Sequence, residues 1–208
     1  LKANTTGIFN TAYGYGALYA NTTGGNNTAS GSNALYYNTT GSYNTASGYY
    51  ALLLNTTGDR NIAVGYGAYD AADTEDDNLA IGYDALGGAI DGGEFNVAIG
   101  NYSLDANTTG DNNVAVGYNA LTTNTSGARN TASGYSALYA NTTGVNNSAL
   151  GQDALKSNPT GASNTASGYE ALEANTTGGS NTAFGVQALQ KNTTASNNTA
   201  IGTGSLYE

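Results

Sequence analysis

A 17-residue repeat runs along the chain and constrains its fold more than any other feature of the sequence. An asparagine opens each of twelve copies, and the interval between successive opening asparagines is 17 residues, except for one of 18 between Asn78 and Asn96. Ala stands two residues after each opening Asn and Gly four residues after it. A fixed short period predicts a solenoid in which each copy forms one coil. The opening asparagines are Asn10, Asn27, Asn44, Asn61, Asn78, Asn96, Asn113, Asn130, Asn147, Asn164, Asn181 and Asn198.

The consensus of the copies predicts strands and turns. It reads N-T-A-x-G-Y-x-A-L-x-x-N-T-T-G-x-x and covers nearly all of residues 1–208, so we expect a single repeat domain. Gly and Asn are poor helix formers, and helical apolar spacing never persists beyond the A-L pair. We therefore predict an all-β fold, a β-solenoid (parallel β-roll or β-helix) of about twelve 17-residue coils. T-A-x-G-Y would form one strand, A-L-x a second strand and N-T-T-G a corner.

Three residue types recur at positions where stacked coils would align them in ladders. The opening asparagines are predicted to form an amide ladder, each side chain donating to the next coil. Leu stands eight residues after the opening Asn in eleven copies, with Tyr69 as the one substitute, and predicts an inner apolar ladder. These leucines are Leu18, Leu35, Leu52, Leu86, Leu104, Leu121, Leu138, Leu155, Leu172, Leu189 and Leu206. A partly exposed tyrosine ladder is expected five residues after the opening Asn, at Tyr15, Tyr49, Tyr66, Tyr83, Tyr118, Tyr135 and Tyr169.

The small apolar content of each coil bears on the oligomeric state. Aliphatic residues flank the Ala of the middle copies, for example Ile62 and Val64, but Thr and Ser take these places in many others. A single thin coil of this composition would be marginally stable. Three coils sharing their Leu ladders around a common axis would bury more surface per residue, which favours a homotrimer over a monomeric solenoid.

The aliphatic copies also carry a resemblance. N-V-A-I-G at 96–100, N-V-A-V-G at 113–117 and N-I-A-V-G at 61–65 resemble the head-domain repeat of trimeric autotransporter adhesins. This resemblance implies a left-handed parallel β-roll built from three chains. The longer unit N-T-A-x-G-Y-x-A-L-x-x-N-T-T-G is similar to repeats of bacteriophage tail-fibre proteins, and it spans nearly the whole chain.

Composition argues against most enzymes and several partner classes. The chain has no His or Cys, so an imidazole base, a thiolate nucleophile and a soft metal site are excluded. Paired carboxylates suggest a glycosidase only weakly, because the chain lacks Trp and any insertion large enough to build a cleft. We expect a non-enzymatic protein without a cofactor. Five basic residues and a net charge of −10 argue against nucleic acid and anionic membranes as partners, and no apolar stretch is long enough for membrane insertion.

The N-T-T-G corners carry candidate glycosylation sites. Thirteen N-x-S/T sequons occur, of which Asn26, Asn101, Asn146 and Asn197 lie outside the corners. A row of corner glycans would coat a rod, whereas N-T-T-G is also ordinary turn chemistry, which we favour. The nine corner candidates are Asn4, Asn21, Asn38, Asn55, Asn107, Asn124, Asn141, Asn175 and Asn192.

Acidic residues cluster where two corners lose the N-T-T-G form. Eight of the fifteen acidic residues lie within 70–94, beside the 18-residue interval. Oxygen ligands at a turn suit Ca²⁺, which makes Asp73, Glu75, Asp76 and Asp77 a weak calcium candidate. A solvated charged turn is the favoured interpretation, because D-T-E-D-D lacks the spacing of an EF-hand loop.

These features together predict a structural role. We expect a shaft or head segment of an extracellular fibre, on a cell surface or virion, whose repeated Tyr, Asn and Thr contact surface carbohydrate or a host receptor. The first alternative is a subunit that assembles end to end into a filament, with glycans at its corners if the Asn-Thr-Thr sequons are used. An ice-binding solenoid is a weaker alternative, because Ile62, Leu79, Val97 and Val114 interrupt the column of Thr.

Overall fold

The chain folds into a stack of twelve three-residue β-strands. The computed structural model describes residues 1–71, 73–88 and 91–207, and no helix occurs in these ranges. The strands are β1 (Thr11–Tyr13), β2 (Thr28–Ser30), β3 (Thr45–Ser47), β4 (Ile62–Val64), β5 (Leu79–Ile81), β6 (Val97–Ile99), β7 (Val114–Val116), β8 (Thr131–Ser133), β9 (Ser148–Leu150), β10 (Thr165–Ser167), β11 (Thr182–Phe184) and β12 (Thr199–Ile201).

All twelve strands pair in parallel, and their order in the sheet is their order in the sequence. The central Ala of each strand faces the central Ala of the next, as Ala12 faces Ala29. The one 18-residue interval keeps this register, because Ala80 still pairs with Ala98. The predicted all-β solenoid of 17-residue coils is therefore confirmed.

Each strand turns its central Ala inward and its two flanking side chains outward, because successive side chains of a strand point to opposite faces. The central Ala is buried in every strand from β2 to β12, whereas the flanking residues are partly or fully exposed. We call the surface formed by the first and third residues of the twelve strands the strand face. It is a continuous outer sheet surface along the whole stack.

The A-L segment forms a turn, so the prediction of a second strand was wrong. The leucines adopt left-handed backbone angles, with φ of 50° at Leu18 and 54° at Leu121. This conformation costs an L-residue roughly 1–2 kcal/mol, whereas burying a Leu side chain returns roughly 1.5–3 kcal/mol. Adjacent coils are still joined here, since Leu18 N–H donates to Ala34 O over 3.1 Å.

The Leu column and two Ala columns form a narrow core inside a single chain. Ten of the eleven predicted leucines are buried, and Tyr69 is buried at the same position. Leu206 in the last coil is the exception, at 56% exposed, because no further coil of the chain covers it. The coil closes over these leucines, so the argument that three chains share their Leu ladders was wrong.

The opening asparagines close each coil and join it to the next. Asn27 Nδ2 donates to Gly41 O of the same coil over 2.7 Å, and Asn27 Oδ1 accepts from Asn44 N–H of the next coil over 2.9 Å. The predicted ladder is present, but its main partners are backbone atoms. Direct amide-to-amide donation in this column is confined to pairs such as Asn113 to Asn96, at 3.2 Å.

A second asparagine column, at the N-T-T-G corners, provides the side-chain ladder that we had assigned to the first. Asn38 Nδ2 donates to Asn21 Oδ1 over 2.7 Å and to Gly41 O over 2.9 Å. We call this set the corner asparagines. Two coils have no corner asparagine. Ala72 and Ala89 take its place in their sequences and lie outside the described ranges. The corner asparagines are Asn4, Asn21, Asn38, Asn55, Asn107, Asn124, Asn141, Asn158, Asn175 and Asn192.

Replacing one corner amide by a carboxylate should destabilise the fold. Asn124 Nδ2 donates to Asn107 Oδ1 and Gly127 O, both over 2.9 Å. Asn124→Asp would replace this donor by a buried, negatively charged oxygen that both acceptor oxygens repel. We expect a loss of about 3 kcal/mol or more at pH 7. Burial would raise the pKa of the new carboxyl, so the loss should shrink as the pH falls and the group is protonated.

Thermal melts followed by circular dichroism at pH 7 and pH 4 measure this effect. Asn146→Asp is the matched control, because Asn146 is exposed. Equal melting temperatures for the two variants at pH 7 would show that the corner amides do not hold the coils together.

Candidate functional site

The corner asparagines are structural, and the structure contradicts most of them as glycan acceptors. Asn21, Asn38, Asn55, Asn107, Asn124, Asn141 and Asn175 are fully buried, and Asn192 is nearly so. Their amide nitrogens donate within the ladder, and a glycan attached there would have to occupy the interior of the coil. Among the nine corner candidates only Asn4, which precedes the first opening asparagine, is exposed.

The sequons outside the corners are the accessible ones. Asn26, Asn101, Asn146 and Asn197 are all exposed. Three of them directly precede an opening asparagine, where the chain takes a left-handed angle, such as φ of 58° at Asn146. The periodic N-T-T pattern drew attention to the corners, and only the structure separates buried from exposed copies.

The acidic corner does not form the weak calcium site that we considered. Glu75 is buried and accepts from the N–H groups of Asp73, Thr74 and Gly92 over 3.1–3.2 Å. Asp73 accepts instead from the hydroxyl of Thr56. Nowhere in the described ranges do three or more Asp, Glu, His or Cys residues form a group that could hold a metal ion.

Arg60 pairs with the other two candidate carboxylates of this corner. Its guanidinium donates to Asp77 over 2.6 and 2.8 Å and to Asp76 over 3.1 Å. These hydrogen bonds lower the pKa of Asp77. The four candidate residues are thus used by different partners, as expected for a charged turn.

A separate group of carboxylates lies on three consecutive coils, the first of which also carries the acidic corner. Asp70, Asp84 and Asp105 are only partly exposed, and a Cβ atom at Gly67 would clash with Asp84 Oδ1. Partial burial, followed by the charge of Asp84, raises the pKa of Asp70 to about 6. Burial also raises the pKa of Asp84 and of Asp105. The folded state therefore resists full ionisation of this group.

The tyrosine column forms an exposed aromatic row, as predicted. Ring centroids are 5.3 Å apart between Tyr49 and Tyr66, 5.1 Å between Tyr66 and Tyr83, and 5.5 Å between Tyr118 and Tyr135, with nearly parallel planes. Because stacked rings cover each other's faces, the row offers mainly ring edges and hydroxyl groups to solvent.

Two coils that have no tyrosine in this column differ in what fills the space of the missing ring. Asn101 takes the tyrosine position of one coil, and the ring of the adjacent Tyr102 fills the break, 5.4 Å from Tyr83 and 6.0 Å from Tyr118. Ser32 takes the position in the second coil. The break there is open, and a cleft of about 260 Å³ lies beside it. Neither the cleft nor its lining was predicted from the sequence.

The strand face is uncharged along its whole length and apolar in its middle. None of the first and third strand residues of β1 to β12 is Asp, Glu, Lys or Arg. Strands β4 to β7 place eight aliphatic side chains on it, among them Ile62, Val64 and Val114, which are 36–41% exposed. Contiguous exposed apolar surface of this kind is typical of an interaction site.

The chain has no significant match among models of known protein families, among curated proteins or among solved structures. Within the described ranges, no helix has the length and apolar character that crossing a membrane requires.

The raised pKa of Asp70 predicts that the stability of the fold depends on pH. Because the folded pKa of Asp70, about 6, lies above the value near 3.9 of an unfolded chain, its ionisation destabilises the fold as the pH rises from 4 to 6 and above. Asp70→Asn should remove this penalty. After allowance for solvent screening of a partly exposed group, we expect Asp70→Asn to stabilise the fold by about 1 kcal/mol above pH 7. This corresponds to a rise of roughly 2–4 °C in melting temperature.

The stabilisation by Asp70→Asn should vanish below pH 4, where the native carboxyl is protonated. Melting curves of the two proteins across this range test it, with Asp91→Asn, at an exposed position, as the control. A gain that is the same at pH 4 and pH 7 would contradict the assigned cause.

Proposed function

We propose that this chain is a non-enzymatic, rigid segment, shaft or head, of an extracellular fibre that attaches a cell or virion to a surface. The observation that carries the proposal is the continuous in-register stacking of twelve nearly identical strands. At about 4.8 Å per strand, such a stack is roughly 50 Å long. It presents the same side-chain positions once per coil along its axis.

The hydrogen bonds between coils support a mechanical role. Each coil is joined to the next through backbone groups, an opening asparagine and, in most coils, a corner asparagine, as at Asn27 and Asn38. Hydroxyl groups of the corner threonines add to this, since Thr22 Oγ1 donates to Thr39 O over 3.0 Å. Bending the rod would stretch all of these hydrogen bonds on one side, so the stack is stiff.

The regular surface supports multivalent attachment. The tyrosine row exposes hydroxyl groups and ring edges at one coil spacing, and exposed Asn and Thr side chains repeat beside it. Many weak contacts along a rigid rod can combine into a useful total affinity, without a deep pocket. Surface carbohydrate or a host receptor is the partner that we propose for this surface.

Self-association through the strand face forms the second part of the proposal. The chain carries a net charge of −10, so most of its surfaces repel a second copy, whereas the strand face is uncharged. Eight aliphatic residues in its middle would be covered when copies meet there. We therefore retain the homotrimer, with left-handed coils, and place the contact on the strand face rather than on the Leu column.

Sedimentation velocity tests the self-association. Val97→Asp combined with Val114→Asp should convert a trimer to a monomer, because two carboxylates would be placed in the contact. Asn26→Asp combined with Asn197→Asp, at exposed positions outside the strand face, is the matched control and should stay associated. A wild-type chain that is monomeric at every concentration would refute the trimer and leave the rod intact.

Immunogold electron microscopy of the intact source, whether cell or virion, tests the fibre. Antibodies to this chain should label projections on the outer surface, and the purified chain should compete with attachment. Labelling confined to the interior would refute the extracellular role. Endless filaments of the purified chain would support end-to-end assembly instead of a discrete fibre segment.

A further inference from the structure

We infer that the open break in the tyrosine row, at the second coil, is a binding site for one neutral saccharide ring. This deepens the proposed attachment function by naming a ligand class and a place, and it rests on that function. The cleft has a volume of about 260 Å³ and is lined by Tyr15, Asn33, Tyr36, Tyr37, Tyr50 and Leu53.

The position of the cleft follows from the repeat. Tyr15 and Tyr49 hold the tyrosine position in the first and third coils, and Ser32 holds it between them. Tyr15 forms no aromatic pair with any residue in the described ranges and is 83% exposed. The face of its ring towards the second coil is therefore uncovered, unlike the faces in the stacked row, because the nearest tyrosine of the same column on that side is two coils away.

The break at Asn101 is a natural comparison. At Asn101 the ring of Tyr102 contacts the tyrosines on both sides, so that break is closed by the chain itself. In the second coil the corresponding residue is Asn33, whose short side chain leaves the cleft open. The same position thus carries a filling side chain in one coil and an amide in the other.

Asn33 contributes an unused polar group. Its Oδ1 atom is buried without a hydrogen-bond partner, an unfavourable arrangement that a ligand hydroxyl group would relieve. Gly16 lies against this oxygen, and a side chain at that position would collide with it. Because no described residue forms a hydrogen bond with this amide, its carbonyl and NH₂ groups have their hydrogen-bonding capacity left for a ligand.

The lining selects the ligand class. Aromatic faces and Leu53 suit the C–H surface of a pyranose ring, while Asn33 and the tyrosine hydroxyls suit its hydroxyl groups. No charged residue lines the cleft, so a neutral sugar fits better than an anionic one. The volume lies below the range of roughly 300–1,000 Å³ for drug-sized ligands, which favours one ring over a folded peptide turn.

A second hollow shares the side chain of Tyr37 with the cleft. Its volume is about 420 Å³, and it is lined mainly by apolar groups, including Leu54 and Ala71, with Asp73 as its one charged lining residue. A sugar bound in the cleft can extend past Tyr37 into this hollow, so the terminal or penultimate ring of an oligosaccharide is the expected occupant.

An array of neutral oligosaccharides, followed by saturation-transfer NMR with the best-binding member, tests the inference. Tyr15→Ala and Asn33→Gly should each weaken binding at least tenfold. Glycine tolerates the left-handed angle of Asn33, with φ of 58°, so this variant removes the amide without straining the chain. Tyr135→Ala removes an exposed ring of the same column outside the cleft and should change binding less than twofold, and thermal melts confirm that each variant is folded.

The outcomes separate this inference from the proposed function. Binding that survives in both cleft variants would place the sugar elsewhere on the rod, which overturns the cleft and leaves the attachment role intact. No binding across the array, or tighter binding of poly-L-proline in the cleft, would also overturn it. The surface labelling described above tests the fibre independently of any sugar.

Discussion

Buried asparagine amides impose the repeat on the rest of the structure. An amide in the interior needs partners for its donors and its acceptor, and in both columns these partners lie at a fixed place in the same or the adjacent coil. A coil of the wrong length would leave several buried amides unpaired at once. The constancy of the 17-residue period therefore follows from hydrogen bonding more than from the small apolar core.

The single exception to the period supports this view. The 18-residue coil keeps its opening hydrogen bond, because Asn96 N–H donates to Asn78 Oδ1 over 2.8 Å. The change falls where the sequence lacks corner asparagines. There Tyr69 accepts from Asn78 Nδ2 over 2.6 Å, and the buried carboxylate of Glu75 accepts backbone N–H groups. The extra residue is thus inserted only where the corner ladder is already interrupted and other polar groups are paired.

Features that depend on the repeat period could be predicted from the sequence. Features that depend on the backbone angle of a residue could not. Parallel in-register strands, the buried leucines and the stacked tyrosines all follow from identical residues recurring once per coil. The turn at Leu18 was missed because an apolar pattern carries no sign of a positive φ, whose cost is offset there by burial of the Leu side chain. The corner asparagines were misjudged because polar residues are usually exposed, and the sequon pattern contains no information about burial.

The same constraint separates the interior of the rod from the surfaces available for function. Inside, every coil must repeat the Ala, Leu and Asn positions, so substitutions there are few and are compensated locally, as at Tyr69. Outside, the tyrosine position accepts Ser32 and Asn101 without any change of register. Specific recognition on such a rod must then come from departures from the repeat, because identical coils offer identical surfaces. An open break such as that beside Asn33 is distinct from its neighbours, whereas a filled one, such as that at Tyr102, restores the continuous row.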